Sequence, residues 1–337
     1  MYRQHFALKE KPFSLIPDPN FLHLSDKHKV AYSLLEYGLH EQSGLTVITG
    51  EVGSGKTTLI RHLLSQIDQS ELTVGLINNT HASLGDLTQW VALAFDIPHA
   101  DKDKVTLFRD VQDHLIAEWA QGKRAVLIVD EAQNMDKATL EELRLYTNIN
   151  ADGEQFLQII LAGQPELRDI LRAPELAQIA QRVSVEYHID PLGWQETADY
   201  IRHRLATASD DGQAARAAQI FDSVAMAVIF YFSGGVPRLI NTLCDFALVH
   251  AYALGVDRVN HKIALEVVKG RKIGGVNRFS KNQQQLDLAR DRVLEAVGLD
   301  LSRVLDEGDD ASIGNKHVNG DSETASRCDH SPVREEP

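Results

Sequence analysis

A chain of 337 residues, 43% hydrophobic and 24% charged, is long enough for a large core plus a second, smaller unit, and its composition is that of an ordinary folded protein. A formal net charge of -14 excludes a surface built throughout to attract DNA or an anionic membrane, while leaving room for a local basic patch. The two cysteines, Cys244 in an apolar run and Cys328 in a polar tail, form no metal or disulfide framework, which fits a reducing compartment.

The opening MYRQHFALKEKPF has no apolar signal core. No later stretch approaches the roughly 18 uninterrupted apolar residues of a spanning helix, so contact with a membrane is expected only through a partner. Prolines 12, 17 and 19 favour an extended or turned path. Ser25 then reads as a helix N-cap, and Val30, Ala31, Leu34, Leu35 and Leu39 recur at helical spacing, predicting a helix from Asp26 to about Glu41.

Four apolar runs follow: LTVIT (45–49), LTVGLI (72–77), AVLIVD (125–130) and FLQIILAG (156–163), with VSVEYHI (183–189) as a fifth. Periodic helical segments at 56–67, 84–95, 104–121 and 136–148 separate them, so the runs read as buried parallel strands of a doubly wound α/β domain. After Pro191 the strand-like runs stop, and WQETADYIRHRLATA, FDSVAMAVIFYFS, VPRLINTLCDFALVHAYALG and NHKIALEVVKG predict a small all-helical domain. Its aromatic run VIFYF (228–232) reads as core and not as a base-stacking platform. From about Asn277 the periodicity thins; QQLDLARDRVLEAVGLDLSRVLDE retains helical character, and the acidic, polar remainder reads as disordered. The expected organisation is an N-terminal linker and helix (1–44), an α/β domain (45–190), a helical lid (191–275) and a C-terminal extension (276–337).

TGEVGSGKTTL (49–59) satisfies G-x-x-x-x-G-K-[ST] and sits between a strand and a helix, where a phosphate-binding loop needs to be. Gly50, Gly53 and Gly55 let the backbone wrap closely, with Glu51, Val52, Ser54 and Thr58 completing the loop. Its amides and the helix N-terminus face phosphate, Lys56 reaches the outer phosphate oxygens, and Thr57 can ligate Mg²⁺. AVLIVDE ends a buried strand in two carboxylates at the sheet edge where ligands bind. Asp130 is placed to hold Mg²⁺, and Glu131 to orient and deprotonate water, which favours hydrolysis of ATP over transfer to a small molecule. Gln164 ends the next strand, where its amide either bonds the γ-phosphate or attacking water, or simply opens a polar turn. Phe13, Pro17 and Phe21 of the opening either lie near the adenine or belong to the core. The 14 histidines show no clustered ligand spacing, so no metal beyond Mg²⁺ is expected.

The order of these motifs resembles an AAA+ ATPase, and their wording resembles the ExeA/GspA-type secretion ATPase family: PFSLIPDPNFLHLS, GEVGSGKTTL, LIVDEAQN, LAGQPELRD, AQRVSVEYHIDPL and SGGVPRLIN. The likeness covers about residues 2 to 270. It implies that Gly50 to Thr58 are the Walker A loop, Asp130 and Glu131 the Walker B pair, and Gln164 the sensor-1 position. It further implies that Arg182 stands in the place of the arginine finger and Arg238 in that of sensor 2. Unaided, Arg182 also fits an ordinary helix C-terminal arginine and Arg238 a surface residue after a sharp helix start.

The resemblance implies a cytoplasmic homo-oligomer bound to ATP and Mg²⁺, peripheral at the inner membrane through a membrane-bound partner. It would serve an envelope export system: polysaccharide export, secretion or pilus assembly. Many family members continue into a membrane segment and a peptidoglycan-binding domain; neither is seen in this sequence, so a short form without direct cell-wall binding is expected. The second reading is a DNA-associated AAA+ regulator of the transposition-helper type, against which the acidic balance and the lack of a basic arm count.

Overall fold

The computed structural model describes residues 1–16, 18–68, 70–78, 86–151, 154–210, 212–271 and 283–304. Five strands, β1 (Leu45–Gly50), β2 (Leu72–Ile77), β3 (Arg124–Val129), β4 (Leu157–Gly163) and β5 (Val183–Ile189), make one sheet in the order β2-β3-β4-β1-β5. Every pairing is parallel.

Side chains along a strand alternate between faces, and here both faces are covered, which is why the runs look continuously apolar in sequence. Ile48, Val126, Ile128, Ile160 and Ala162 pack against helices α1 (Asp26–His40) and α2 (Lys56–Gln66). Their strand neighbours Val47, Leu127, Val129, Ile159 and Leu161 pack on the other side, with α3 (Leu87–Ala94), α4 (Lys104–Ala120) and α5 (Lys137–Tyr146). The register places Thr49 opposite Gly163 and Val129 opposite Leu161, so β1, β3 and β4 finish at one edge. A two-residue antiparallel ladder, Asn150–Ala151 with Glu154–Gln155, was not foreseen.

The region after Pro191 contains α6 (Trp194–Ala208), α7 (Ser223–Ser233), α8 (Pro237–Ala253), α9 (His261–Gly270) and α10 (Gln283–Val297). In VIFYF the side chains of Val228, Ile229, Phe230 and Phe232 are buried, so the run is core. Leu286 and Ala289 of α10 pack on Phe230. The N-terminal segment lies along these helices: Tyr2 Oη donates to Asp245 (2.7 Å), and the Lys9 amide donates to the Ala208 carbonyl (2.9 Å). No helix among the described residues is long and apolar enough to cross a membrane.

Two glycines decide how the helical region meets the sheet. At Gly235, φ is +76° and an added Cβ would fall 1.9 Å from the Leu192 carbonyl oxygen. The Gly235 carbonyl in turn accepts the Leu192 amide at 2.9 Å. Only glycine fits that conformation and that approach. Pro237 then opens α8 with its φ already set for a helix. At Gly53, φ is +80° and a Cβ would lie 2.3 Å from Cβ of Arg238, so the start of α8 rests directly on the loop after β1.

Residues 1–301 form one compact unit and residues 302–337 a second, of which 302–304 are described. Pro17, Cys328 and the acidic tail lie outside the described residues.

Candidate active site

The loop between β1 and α2 is a turn of backbone with its lysine folded inward. Lys56 is 6% exposed, and its Nζ donates to the carbonyls of Gly50 (2.7 Å) and Glu51 (3.1 Å). Burial is the largest influence on this amine and holds its pKa below the ordinary lysine value, against the pull of Glu131, Asp130 and Glu51. Ser54 Oγ is buried without a hydrogen-bond partner among the described residues. A buried amine and an orphaned hydroxyl inside a glycine loop at a helix N-terminus are the donor set of an anion cradle.

The loop is braced from behind by a residue that the motif does not contain. His28, on the first turn of α1 and 5% exposed, lies 2.9 Å through Nε2 from the Ser54 carbonyl and 2.8 Å through Nδ1 from Ser25 Oγ. If the ring is neutral, Nε2–H donates to the carbonyl and Nδ1 accepts from the serine. Burial lowers the His28 pKa, which favours that neutral form. Ser25 is also the N-cap of α1, so one hydroxyl starts the helix and sets the imidazole.

Asp130, one residue beyond β3, is nearly buried and accepts a hydrogen bond from Thr57 Oγ1 at 2.7 Å through Oδ2. The two groups expected to share a divalent cation are therefore neighbours, and their oxygen-only chemistry suits Mg²⁺. Glu131 follows at φ 54°, ψ 37°, a left-handed conformation that costs a non-glycine residue on the order of 1 kcal/mol or more. Two amides hold its carboxylate: Gln133 Nε2 donates to Oε2 at 2.6 Å, and Gln164 Nε2 to the same oxygen at 3.2 Å. Gln133 Oε1 also accepts the Gln164 backbone amide at 2.9 Å, tying the end of β4 to the residue after β3. Gln133 was passed over in the sequence although it stands inside the DEAQN stretch, two residues past Glu131.

Of these groups His28, Ser54, Lys56, Thr57 and Glu131 line a cavity of ≈ 290 Å³, which the N-terminal segment and the helical region line as well. Lys56, Thr57, Thr58, Glu131 and Arg238 line it. So do Phe21, His23, Tyr200, Arg204 and Asn241, a second group linked by contacts of its own. Of the expected aromatic pair, Phe21 lies on the cavity, whereas Phe13 is buried 6.0 Å from Phe221 in an edge contact within the helical core. Arg238 reaches the cavity, and its backbone amide donates to the Gly53 carbonyl at 3.3 Å.

Arg182 is not brought to this cavity. It precedes β5, whose first residue Val183 pairs with Leu45 at the start of β1, so it stands at the opposite edge of the sheet from Gly50. Its Nη1 donates to the Thr147 carbonyl after α5 at 3.2 Å.

Residues 39–171 match the family model described as AAA domain. General secretion pathway protein A of Aeromonas hydrophila is 43% identical over 263 residues, 77% of this chain and 47% of that protein. The Mu-like prophage FluMu DNA transposition protein B of Haemophilus influenzae is 29% identical over 146 residues, 43% of this chain and 46% of that protein. The chain thus spans about half the length of the curated relatives it matches. Among solved structures, Cdc6p of Pyrobaculum aerophilum aligns with TM-score 0.60 at 14% identity, over 78% of this chain and 71% of that one. The ORC2 protein of Aeropyrum pernix aligns with TM-score 0.59 at 15% identity, over 93% of this chain and 86% of that one. Both likenesses are of fold: a P-loop α/β sheet followed by helices.

Proposed function

Since this chain carries an AAA domain of the ExeA/GspA type, we propose that it hydrolyses ATP to ADP and phosphate as a motor or switch supporting an envelope export system. One observation carries the hydrolytic part. A carboxylate in a strained conformation, Glu131, is held by Gln133 and Gln164 and lines the same cavity as Lys56 and Thr57, the latter bonded to Asp130. Strain of this kind persists where the surrounding structure fixes it, and it clusters at reacting sites.

In this reading Gly50 to Thr58 cradle the phosphates, and Lys56 leaves its own loop carbonyls for the outer phosphate oxygens. Thr57 and Asp130 hold Mg²⁺, which when bound neutralises charge on the phosphates. Glu131 orients the attacking water and accepts its proton, while Gln164, already bonded to that carboxylate, fixes its direction. Arg238 senses the nucleotide from the helical lid at 191–275. Arg182, facing away from its own cavity, is available to a neighbouring copy, so that the protein acts as a homo-oligomer whose sites are completed across the boundary.

Phosphate release measured against protein concentration tests this. The rate per subunit should rise with concentration, and Arg182→Ala should flatten the rise while leaving nucleotide binding intact. A flat wild-type curve that Arg182→Ala does not alter rules out the shared site. The export role rests on the likeness to General secretion pathway protein A, and with it a cytoplasmic placement at the inner membrane through a membrane-bound partner. Polysaccharide export, secretion or pilus genes beside this one are the expected observation.

A second reading, an AAA+ helper of DNA transposition, is favoured by the match to the FluMu transposition protein B. Retention on DNA that declines steeply with salt would select it, and no retention at low salt would remove it.

A further inference from the structure

Arg204 of α6 is a cation 7% exposed with no carboxylate in an ion pair with it among the described residues. Its acceptors are neutral. Nε donates to the Pro12 carbonyl (2.5 Å), Nη1 to Tyr200 Oη (2.9 Å) and Nη2 to the Ser14 carbonyl (3.5 Å). The guanidinium carbon lies 5.0 Å from the centre of the Phe21 ring and 5.5 Å from that of Tyr200. Tyr200 Oη donates to Asn241 Oδ1 (2.9 Å), and Asn241 Nδ2 donates to the Ser14 carbonyl at 3.4 Å. Two helices of the lid, α6 and α8, thus grip the backbone of residues 12–14.

Burying an unpaired cation is costly, and a hydrophobic residue would fill the space more cheaply. What a hydrophobic residue cannot do is donate in a fixed plane to two carbonyls two residues apart while stacking on an aromatic ring. The segment so held carries Leu15 and Ile16, which line the cavity although 54% and 77% exposed, and Phe21 lines the same cavity. Open apolar side chains that share a cavity with a ring offer a face that a flat heterocycle would cover.

We propose that Arg204 is a positioning residue for the base of the nucleotide. It holds the 12–16 segment and Phe21 as an apolar wall, so that binding of the base depends on it and binding of the phosphate chain does not. This rests on the nucleotide reading of the cavity, and it adds a division of labour between the two ends.

The test compares ADP with inorganic tripolyphosphate by titration calorimetry on the full chain. Arg204→Gln should weaken ADP by roughly 10- to 100-fold, the range for losing charge-assisted hydrogen bonds, and leave tripolyphosphate within about 2-fold. Arg204→Lys, which keeps the charge and loses the planar fork, should weaken ADP to a similar degree. Equal weakening of both ligands by Arg204→Gln with a native far-ultraviolet spectrum, or no weakening of either, overturns the proposal. Should that spectrum not be native, Tyr200→Phe decides in the same assay, since it removes one hydroxyl and keeps the ring. It must weaken ADP selectively, and equal or absent weakening overturns the proposal. A wild-type chain that binds neither ligand would refute the nucleotide reading itself, a different result from either.

Discussion

The two ends of the cavity are built by different means. The proposed phosphate end is a contiguous piece of chain, residues 50–58, braced by Asp130 just past β3 through its hydrogen bond from Thr57. The proposed base end is assembled from residues 14–16, 21, 200, 204 and 241, which meet only because the N-terminal segment lies on the helical region. The first end is rigid because a parallel sheet buried on both faces fixes it. The second is held by a handful of hydrogen bonds to backbone carbonyls, and every one of them crosses between elements.

The contrast can be broken most forcefully at Glu131. Glu131→Gln should slow hydrolysis by roughly 10²- to 10⁴-fold, the usual worth of a positioned base, while ATP remains bound at both ends. Filter binding beside phosphate release checks it, and loss of binding would place Glu131 in the cradle instead. Next in size is Gly235→Ala, where a Cβ would meet the Leu192 carbonyl at 1.9 Å. It should destabilise by about 3 kcal/mol in thermal unfolding and weaken ADP and tripolyphosphate together, since it unseats α8 from the whole cavity. Lys56→Ala should cost both ligands roughly 10- to 100-fold, in contrast to the selective losses at Arg204.

The smallest effect concerns pH. Burial keeps the His28 pKa in the folded protein below its unfolded value, so the unfolded chain binds the extra proton first as the medium acidifies. The contribution of the buried neutral ring is complete above about pH 6.5 and is lost as pH falls below it. His23 and His203 are shifted the same way, also by burial, so His28→Gln should remove one share of the slope, at most about 1.4 kcal/mol per pH unit. Melting temperatures between pH 7.5 and 5.5 measure it; an unchanged slope would mean that His28 is already protonated in the fold.

The legibility of the molecule in its sequence follows the same division. Five apolar runs with helices between them state a parallel sheet, and GEVGSGKTT after the first run states a phosphate loop, because those signals are local in the chain. The strand order is not local; the ladder of Asn150–Ala151 with Glu154–Gln155 is local, but two residues a side carry no readable alternation. At the site, Gln133 stood two residues past Glu131 and was missed because an amide has no charge signature. His28 and Arg204 were missed for another reason: a lone histidine at a helix start and a lone arginine mid-helix look like surface residues until tertiary contacts bury them. Phe13, which the sequence leaves open between the adenine and the core, belongs to the core. Arg182 owes its expected role to family likeness, and its position at the far edge of the sheet is what makes a neighbour necessary for that role.

The seat of Gly235 against Leu192 also sets a scale of movement. It lies at the very start of α8, beside the contact of Arg238 with Gly53, so a tilt of that helix has its fulcrum next to the phosphate loop. With 17 residues α8 is about 25 Å long, and a rotation of roughly 10° at the loop would sweep its far end through about 4 Å. That end carries Tyr252, Leu254 and Val256, all open to solvent. A displacement too small to notice among the phosphates becomes, at the tip of this lever, one large enough for another molecule to feel.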